Sequence, residues 1–384
     1  MIPYSRRLPL SGENVIARAL RERREPYVDL TETNPTRVLL TPEVALDALA
    51  DPRALRYDPD PKGLAAGRQA IASYYAESRG AAVDPERVVL TASTSEAYAM
   101  LFKLLCDPGD CVLVPEPSYP LFAMLTALEG VRTVPYPLRF DGEWHLDAVA
   151  LRFPERARAV LVVSPGNPTG AFLKEAELAG LTGRCAEAGC ALISDEVFAD
   201  FAWGADPRRV PTLAARDEVL PFALSGISKV CGLPQLKLGW CVVSGPGDEV
   251  ERALSRLELV ADTYLSVGTP VQLAAGRLLE KRHAFQRRVL ARVQANRRAL
   301  VRLRTADARW DVLAAEGGWS AVISVPRTRG EDEWVLALLE AGVLVHPGYF
   351  FDFSAGAHLV LSLIAPEGDF ARGAEVLSRT LQES

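Results

Sequence analysis

The chain has 384 residues, more than one compact core usually contains, so two domains are expected. Of these residues 49% are apolar and 24% are charged, which is typical of a globular protein. The net charge of −6 argues against nucleic acid as the main partner, because a phosphate backbone binds to a basic surface. No apolar stretch is long enough to span a bilayer, so we expect no membrane association.

The six cysteines show no Cys-x-x-Cys spacing, and several lie in apolar runs where a small buried side chain fits. This pattern indicates neither a disulfide framework nor a metal site. The N-terminal residues lack the apolar core of a secretory signal. A reducing cytoplasm is therefore the expected compartment.

In chain order, residues 1–45 are predicted to be irregular apart from one helix near 12–24. From about residue 85, short apolar runs alternate with helical patterns at 95–105, 119–129, 174–189 and 249–264. Continuous apolar strands between helices predict a mainly parallel sheet that is covered on both faces. The apolar runs predict seven strands, at Val88–Leu90, Cys111–Val114, Thr133–Tyr136, Ala159–Val163, Ala191–Ser194, Phe222–Leu224 and Leu238–Val243.

The pattern changes after about residue 270. A long amphipathic helix at 270–304 precedes a second group of elements, with strands at 320–325, 343–346 and 358–363 and helices at 331–341 and 367–381. The predicted fold class is α/β, with a large domain built on a mainly parallel seven-stranded sheet between helices and a smaller discontinuous α+β domain. We assign residues 1–45 to an N-terminal arm and part of the small domain, 46–270 to the large domain, and 271–384 to the small C-terminal domain.

Lys229 lies in a stretch of small residues, 225–240, directly after a predicted strand. A lysine at the end of a buried strand must be neutralised or consumed chemically, since an isolated buried ammonium is costly. Schiff-base formation with an aldehyde consumes the amine, and desolvation assists by lowering the amine pKa. Taken alone, a surface lysine in a glycine-rich loop is an equally good interpretation.

A second segment, 164–170, ends another predicted strand and opens a helix. Open α/β sheets bind ligands at the carboxyl ends of their parallel strands, and the Asn167 amide can donate a hydrogen bond to a ring oxygen there. The alternative interpretation is an ordinary Asn-Pro turn.

Asp195 ends the predicted strand that begins at Ala191. A carboxylate beside a pyridine nitrogen keeps that nitrogen protonated, and the protonated ring then acts as an electron sink. A helix N-cap is the alternative role for this aspartate.

The segment 91–97 leads from a strand into a helix and contains Ser93, Thr94 and Ser95. Backbone N–H groups and hydroxyls at a helix N-terminus form an anion site that suits a phosphate. Serine and threonine are also good N-caps, so this segment is not diagnostic alone.

In this order and spacing, the four segments resemble the fold-type I, class I/II aminotransferases over roughly residues 30–375. The resemblance implies an enzyme that uses pyridoxal 5′-phosphate (PLP), usually as a homodimer with active sites at the interface. It implies that Lys229 forms the Schiff base, that Asp195 faces the pyridine nitrogen and that Asn167 donates to the phenolic oxygen. The other cofactor-binding residues it implies are Ser93, Thr94 and Ser95 at the phosphate, Tyr119 stacked on the ring, and Tyr57 reaching the phosphate of the neighbouring subunit. Tyr119 and Tyr57 are alternatively packing aromatics.

Two positions depart from the family pattern at the cofactor. Lys237 stands eight residues after Lys229, where the family usually has an arginine, and a lysine binds phosphate without the bidentate fork. Phe198 stands three residues after Asp195, where the family usually has a tyrosine that donates to the phenolic oxygen. Losing this donor is expected to raise the pKa of the Schiff base.

A third departure concerns the substrate. Val360 stands where the family usually has an arginine that binds the substrate α-carboxylate. Either another cation such as Arg37 replaces that arginine, or the substrate is unusual. It is then an amine, or an amino acid held by backbone amides and Ser362.

The predicted reaction is transamination, in which a small-molecule amino donor passes its amino group to a 2-oxo acid. The same electron-sink chemistry serves β-elimination, so a carbon–sulfur β-lyase is the alternative enzyme. A non-enzymatic ligand-sensing module is disfavoured by the acidic charge balance.

Overall fold

The computed structural model describes residues 2, 4–7, 12–42, 44 and 46–382. The other residues of the predicted N-terminal arm, and the last two residues of the predicted C-terminal domain, lie outside the described residues. Helix α1 covers Val15–Glu22 and begins at the N-cap Asn14, whose side chain accepts a hydrogen bond from Ala17 N. Strand β1 follows at Val28–Asp29, and two short 3₁₀ helices lead into helix α2, Ala65–Arg79. The helix predicted near 12–24 is confirmed, with slightly narrower bounds.

Within the described residues, eight strands form the large sheet. Five adjacent strands run parallel, and antiparallel pairs flank them at both edges. The strands are β2 (Val88–Thr91), β3 (Cys111–Glu116), β4 (Arg132–Phe140), β5 (Trp144–Leu146), β6 (Ala157–Val163), β7 (Ala191–Asp195), β8 (Pro221–Gly226) and β9 (Gly239–Val243). Their order across the sheet is β2-β9-β8-β7-β6-β3-β4-β5.

The mainly parallel sheet is confirmed, with one strand more than the seven predicted. The additional strand, β5, has three residues and forms an antiparallel hairpin with β4. Such a short run gives no readable alternation of apolar and polar residues, so the sequence pattern does not reveal it.

Helices cover both faces of the large sheet, as the continuous apolar strands predict. They are α3 (Thr94–Leu105), α4 (Leu121–Leu128), α5 (Glu175–Ala188), α6 (Ile227–Val230) and α7 (Gly247–Tyr264). Alternate residues of β7 join different apolar clusters: Leu192 packs with α2 and α5, whereas Ile193 packs with α3 and α7. Both faces of the central strands are therefore buried.

The C-terminal part contains α8 (Thr269–Glu280), α9 (Arg282–Leu303), β10 (Asp311–Val312), β11 (Ser320–Ser324), α10 (Glu331–Glu340), β12 (Val343–Leu344), β13 (His346–Pro347), β14 (His358–Ser362) and α11 (Glu367–Gln382). A small antiparallel sheet has the order β10-β11-β14-β13, and β1 pairs in parallel with β12. The helix predicted at 270–304 is two helices, because Lys281 N bonds to Leu279 O and interrupts the regular pattern. No helix of the described residues has both the length and the hydropathy to cross a bilayer.

The carboxyl ends of three central strands bring the predicted site segments together. In the parallel register Val163 at the end of β6 pairs with Asp195 at the end of β7, and Asp195 pairs with Leu224 of β8. The turn that contains Asn167 follows β6, and the helix that contains Lys229 follows β8. One edge of the sheet therefore holds all three side chains.

Gly239 begins β9 beside the turn into α3, and a Cβ built on it would lie 2.9 Å from the Ser93 carbonyl carbon and 3.1 Å from Thr94 N. We expect Gly239→Ala to lower the free energy of unfolding by about 1–3 kcal/mol, because backbone atoms cannot move aside as a flexible side chain does. Urea unfolding of both proteins measures the difference.

The control is Gly183→Ala in α5, where a Cβ meets nothing within 4 Å. It should leave stability unchanged or raise it by up to about 1 kcal/mol. An equal loss of stability in both variants would contradict the crowding that we assign to Gly239.

Candidate active site

A cavity of about 280 Å³ opens at the carboxyl ends of β6, β7 and β8. We call it the main cavity. Its walls also include Thr33 from the N-terminal part, and Trp319 and Ser320 from the start of β11. Most of the predicted site residues line it, namely Ser93, Thr94, Ser95, Tyr119, Asn167, Asp195 and Lys229.

Lys229 lies in α6, the single helical turn that follows β8. Its Nζ is 5.6 Å from the ring centre of Phe198 and 5.1 Å from that of Trp319. Desolvation lowers the pKa of this amine, and the negative charges of Asp195 and Glu32 oppose the shift. A lowered pKa increases the fraction of free, nucleophilic amine at neutral pH.

Asp195 is 8% exposed at the end of β7. The hydroxyl of Tyr98 donates to its Oδ2 at 3.0 Å, and Val197 N donates to its Oδ1 at 3.1 Å. Burial raises the pKa of Asp195 to about 6, and these hydrogen bonds and the Lys229 charge oppose the rise. The carboxyl group is therefore positioned rigidly, and its charge is not fully compensated by this chain.

Tyr98 is a site residue that the sequence did not reveal. It lies on α3 one turn after Thr94 and is 3% exposed. Burial raises its pKa well above the ordinary value, so the hydroxyl keeps its proton and stays a donor to Asp195. A buried tyrosine at helical spacing is typical of a core residue, which is why the pattern gave no signal.

The turn into α3 forms the polar end of the main cavity. Ser93 is the N-cap, and its hydroxyl accepts from Glu96 N at 3.2 Å. Thr94 and Ser95 begin the helix and line the cavity. Because the N-terminal N–H groups of a helix carry partial positive charge, this end of the cavity suits an anion.

Asn167 and Tyr119 lie on the walls between the strand ends. The turn at 166–170 is closed by a hydrogen bond from Gly170 N to Gly166 O at 2.8 Å, which holds Asn167 at the cavity. Tyr119 follows β3, is 44% exposed and contacts the Phe122 ring edge-on. The tyrosine ring thus has one side available to a bound molecule.

Two predicted residues lie outside the main cavity. Tyr57 is 80% exposed and lines a separate surface depression together with Leu265 and Gln272. Lys237 is exposed in the loop before β9, in the left-handed backbone conformation at φ 54°. Their roles at the phosphate therefore stay predictions.

Val360 is 2% exposed in a small apolar cluster with Val322 and Phe351. The arginine position of the family is thus filled by hydrocarbon. Arg37, the suggested replacement, is 75% exposed and pairs with Glu32 at 3.2 Å. Among the described residues that line the main cavity, Lys229 is the only cation.

Asp195 ionises near pH 4 in an unfolded chain and near pH 6 in the folded protein, so the wild-type protein loses stability as pH rises through this window. We therefore expect Asp195→Asn to raise the free energy of unfolding of the cofactor-free protein. The gain should be about 3 kcal/mol at pH 8 and about half of that at pH 5. Chemical unfolding at both pH values measures it.

Asp58→Asn is the matched control, because the Asp58 side chain is 70% exposed. It should change stability by less than about 0.5 kcal/mol at either pH. If Asp195→Asn raised the free energy of unfolding equally at pH 5 and pH 8, this would contradict the conclusion that burial raises the pKa of Asp195.

Comparison with known proteins identifies the family of the chain. The sequence profile of the family described as "Aminotransferase class I and II" matches residues 26–364. A glutamate–pyruvate aminotransferase of Haemophilus influenzae is 28% identical over 63% of this chain, and the match spans 64% of that protein, just under two thirds. An arginine–pyruvate transaminase of Pseudomonas aeruginosa is 31% identical over 79% of this chain and 77% of its own length. A variant of Thermus thermophilus aspartate aminotransferase has a TM-score of 0.83 and 25% identity, covering 99% of this chain and 100% of that one. The chain belongs to the class I and II aminotransferase family.

Proposed function

We propose that this aminotransferase holds PLP covalently through Lys229 and moves an amino group from an amino acid to a 2-oxo acid. The observation that carries the proposal is the placement of a buried amine and a buried carboxyl group in one cavity at the ends of β7 and β8. Oppositely charged groups with shifted pKa values in a cavity are typical of a catalytic site.

The residues of the main cavity fit PLP by three observations. The Thr94–Ser95 turn offers N–H and hydroxyl donors to a phosphate. Gly239 also lines the cavity and places no side chain against this turn, where a Cβ would lie 2.9 Å from the Ser93 carbonyl carbon. Asp195 presents a buried carboxyl group that a cationic ring nitrogen would pair with, which would lower the carboxyl pKa again.

PLP, when bound, supplies an aldehyde carbon and a ring that withdraws electrons from the substrate Cα. Lys229 Nζ would hold the group through a covalent bond to that carbon. Because desolvation lowers its pKa, the amine, once free, would serve as the base that takes the substrate Cα proton and as the acid that gives it back. Lys229 would thus have two roles, as the anchor and as the general base and acid.

The other residues orient the ring and exclude water. Asp195 would pair its negative charge with the ring nitrogen, and Tyr98 and Val197 N hold its two oxygens. Asn167 would donate to the phenolic oxygen, and Tyr119 would stack on the ring. Phe198 and Trp319 surround the Lys229 amine with hydrocarbon, which favours its neutral form.

We further propose a homodimer in which Tyr57 reaches the phosphate of the neighbouring subunit. Large apolar side chains are exposed in the segment of the chain that contains Tyr57, with Leu46 at 67%, Leu55 at 92% and Tyr57 at 80%. Several exposed large apolar side chains in one segment favour an interaction with another protein surface. The six cysteines are all unpaired, which supports a reducing compartment such as the cytoplasm.

Lys229→Ala should abolish the visible absorption band that PLP gives with the wild-type protein. It should also slow the single-turnover reaction with L-alanine by at least about 10²–10⁴-fold, because both the anchor and the base are removed. Absorption spectroscopy and stopped-flow mixing measure the two effects. Lys103→Ala, on the outer side of α3, should keep both the band and the rate. Full turnover in Lys229→Ala would exclude the proposed function.

Phe198→Tyr should lower the pH midpoint of the holoenzyme's visible spectrum by about one unit. A tyrosine hydroxyl at this position donates to the phenolic oxygen and stabilises the deprotonated form, and one such hydrogen bond contributes about 1 kcal/mol. A spectrophotometric pH titration measures the midpoint. Phe198→Leu, which adds no donor, should leave it within about 0.3 units of wild type. Equal midpoints in all three proteins would contradict this role for position 198.

A further inference from the structure

A second, smaller cavity of about 30 Å³ adjoins the main cavity, and we call it the side cavity. The two cavities share Val163 in their walls. Ser118 of the side cavity precedes Tyr119 of the main cavity, and Gly166 precedes Asn167 in the same way. The side cavity has room for about two water-sized groups and adjoins the proposed cofactor site along these residues.

Two buried donors that line the side cavity have no hydrogen-bond partner among the described residues. They are Ser118 Oγ and Trp144 Nε1. Ser118 is 3% exposed and Trp144 is 7% exposed, so bulk water does not satisfy them. A buried donor without an acceptor costs about 1–3 kcal/mol, and two such donors at one cavity indicate a place for an acceptor.

The other polar side chains of the side cavity have partners, although a carboxylate can accept further hydrogen bonds. The Tyr136 hydroxyl donates to Leu161 O at 2.6 Å. The Glu177 carboxylate accepts from Leu146 N at 2.8 Å and from Lys174 N at 2.7 Å. Glu177 brings negative charge to this wall. His145 also lines the cavity and pairs with Asp141 at 3.5 Å, and no described lysine or arginine lines it. The side cavity therefore offers two neutral donors and disfavours an anion.

Two residues of the side cavity contact the neighbourhood of the apolar cluster at Val360. Ser118 N donates to Phe351 O at 2.9 Å, and Phe351 packs against Val360. The Trp144 ring contacts the ring of Phe353, with the centres 6.0 Å apart. Phe351 thus connects Val360, at the position of the family's arginine, to the wall that carries Ser118.

We propose that the side cavity is a specificity subsite that takes a neutral, oxygen-bearing end of the amino donor's side chain, as in a carboxamide. Ser118 Oγ–H and Trp144 Nε1–H donate to its oxygen, and the carboxylate of Glu177 accepts from its N–H. The apolar walls, which include Leu138 and Phe172, contact the carbon atoms. This proposal rests on the proposed aminotransferase function.

The experiment compares amide and acid donors that differ in charge and hardly in size. Single-turnover bleaching of the PLP-loaded enzyme is measured with L-glutamine against L-glutamate, and with L-asparagine against L-aspartate, which covers two side-chain lengths. We expect one of the amides to exceed its acid at least about tenfold in kcat/KM, since an anion beside Glu177 is unfavourable.

Ser118→Ala and Trp144→Phe should each reduce the kcat/KM of that amide by about tenfold. Each should change the value for L-alanine by less than about twofold, because alanine does not reach the subsite.

Trp310→Phe is the matched control. Trp310 is 2% exposed, and its Nε1 also has no partner among the described residues, but it lines neither cavity. This variant should keep the amide preference. Equal kcat/KM values for each amide and its acid would overturn the subsite. So would Ser118 and Trp144 variants that lose as much kcat/KM with L-alanine as with the amide. If no amino acid bleaches the visible absorption band of the wild-type holoenzyme, the proposed aminotransferase function itself fails. This outcome differs from a failure of the subsite alone, in which the band still bleaches.

Discussion

The burial of Lys229 and Asp195 in one cavity is the constraint on which the rest of the site depends. Desolvation moves both groups toward their neutral forms, lowering the amine pKa and raising the carboxyl pKa to about 6. Neither group gains a direct ion pair, since the carboxylate oxygens are held by Tyr98 and a backbone N–H. The chain alone leaves this pair poorly compensated, and the cationic ring of the proposed cofactor would supply the missing charge. The stability of the site is therefore linked to its occupancy.

The sequence predicted the part of this arrangement that depends on local pattern. The strands of the large sheet are continuous apolar runs because both of their faces are buried, and such runs are readable without a structure. Residues that follow these runs lie at one edge of a parallel sheet, so Lys229, Asp195 and Asn167 could be placed together in advance. The roles assigned to them stay predictions, as does the division into domains at residues 45 and 270.

What the sequence could not reveal depends on contacts between distant segments. Tyr98 became a partner of Asp195 through the packing of α3 on the sheet, which no spacing encodes. The sequence showed that Val360 stands where the family has an arginine, but it did not show which side chains fill the space of that arginine. It is filled by Phe351, from the 3₁₀ helix Gly348–Phe351, and by Val322 of the neighbouring strand. Trp144 was equally hidden, because β5 is too short to show a period.

The pairing of β1 with β12 has a consequence for how the protein is made. Val28 pairs with Val343, Leu30 N donates to Leu344 O, and Ser362 N donates to Leu30 O. Leu30 is fully buried in the finished protein, yet its partners leave the ribosome more than 300 residues later. At roughly 5–20 residues per second, this segment waits tens of seconds with its apolar side chains uncovered. The segment that supplies Thr33 to the main cavity is thus synthesised long before the strands that complete its packing, and uncovered apolar side chains of this kind favour aggregation during that interval.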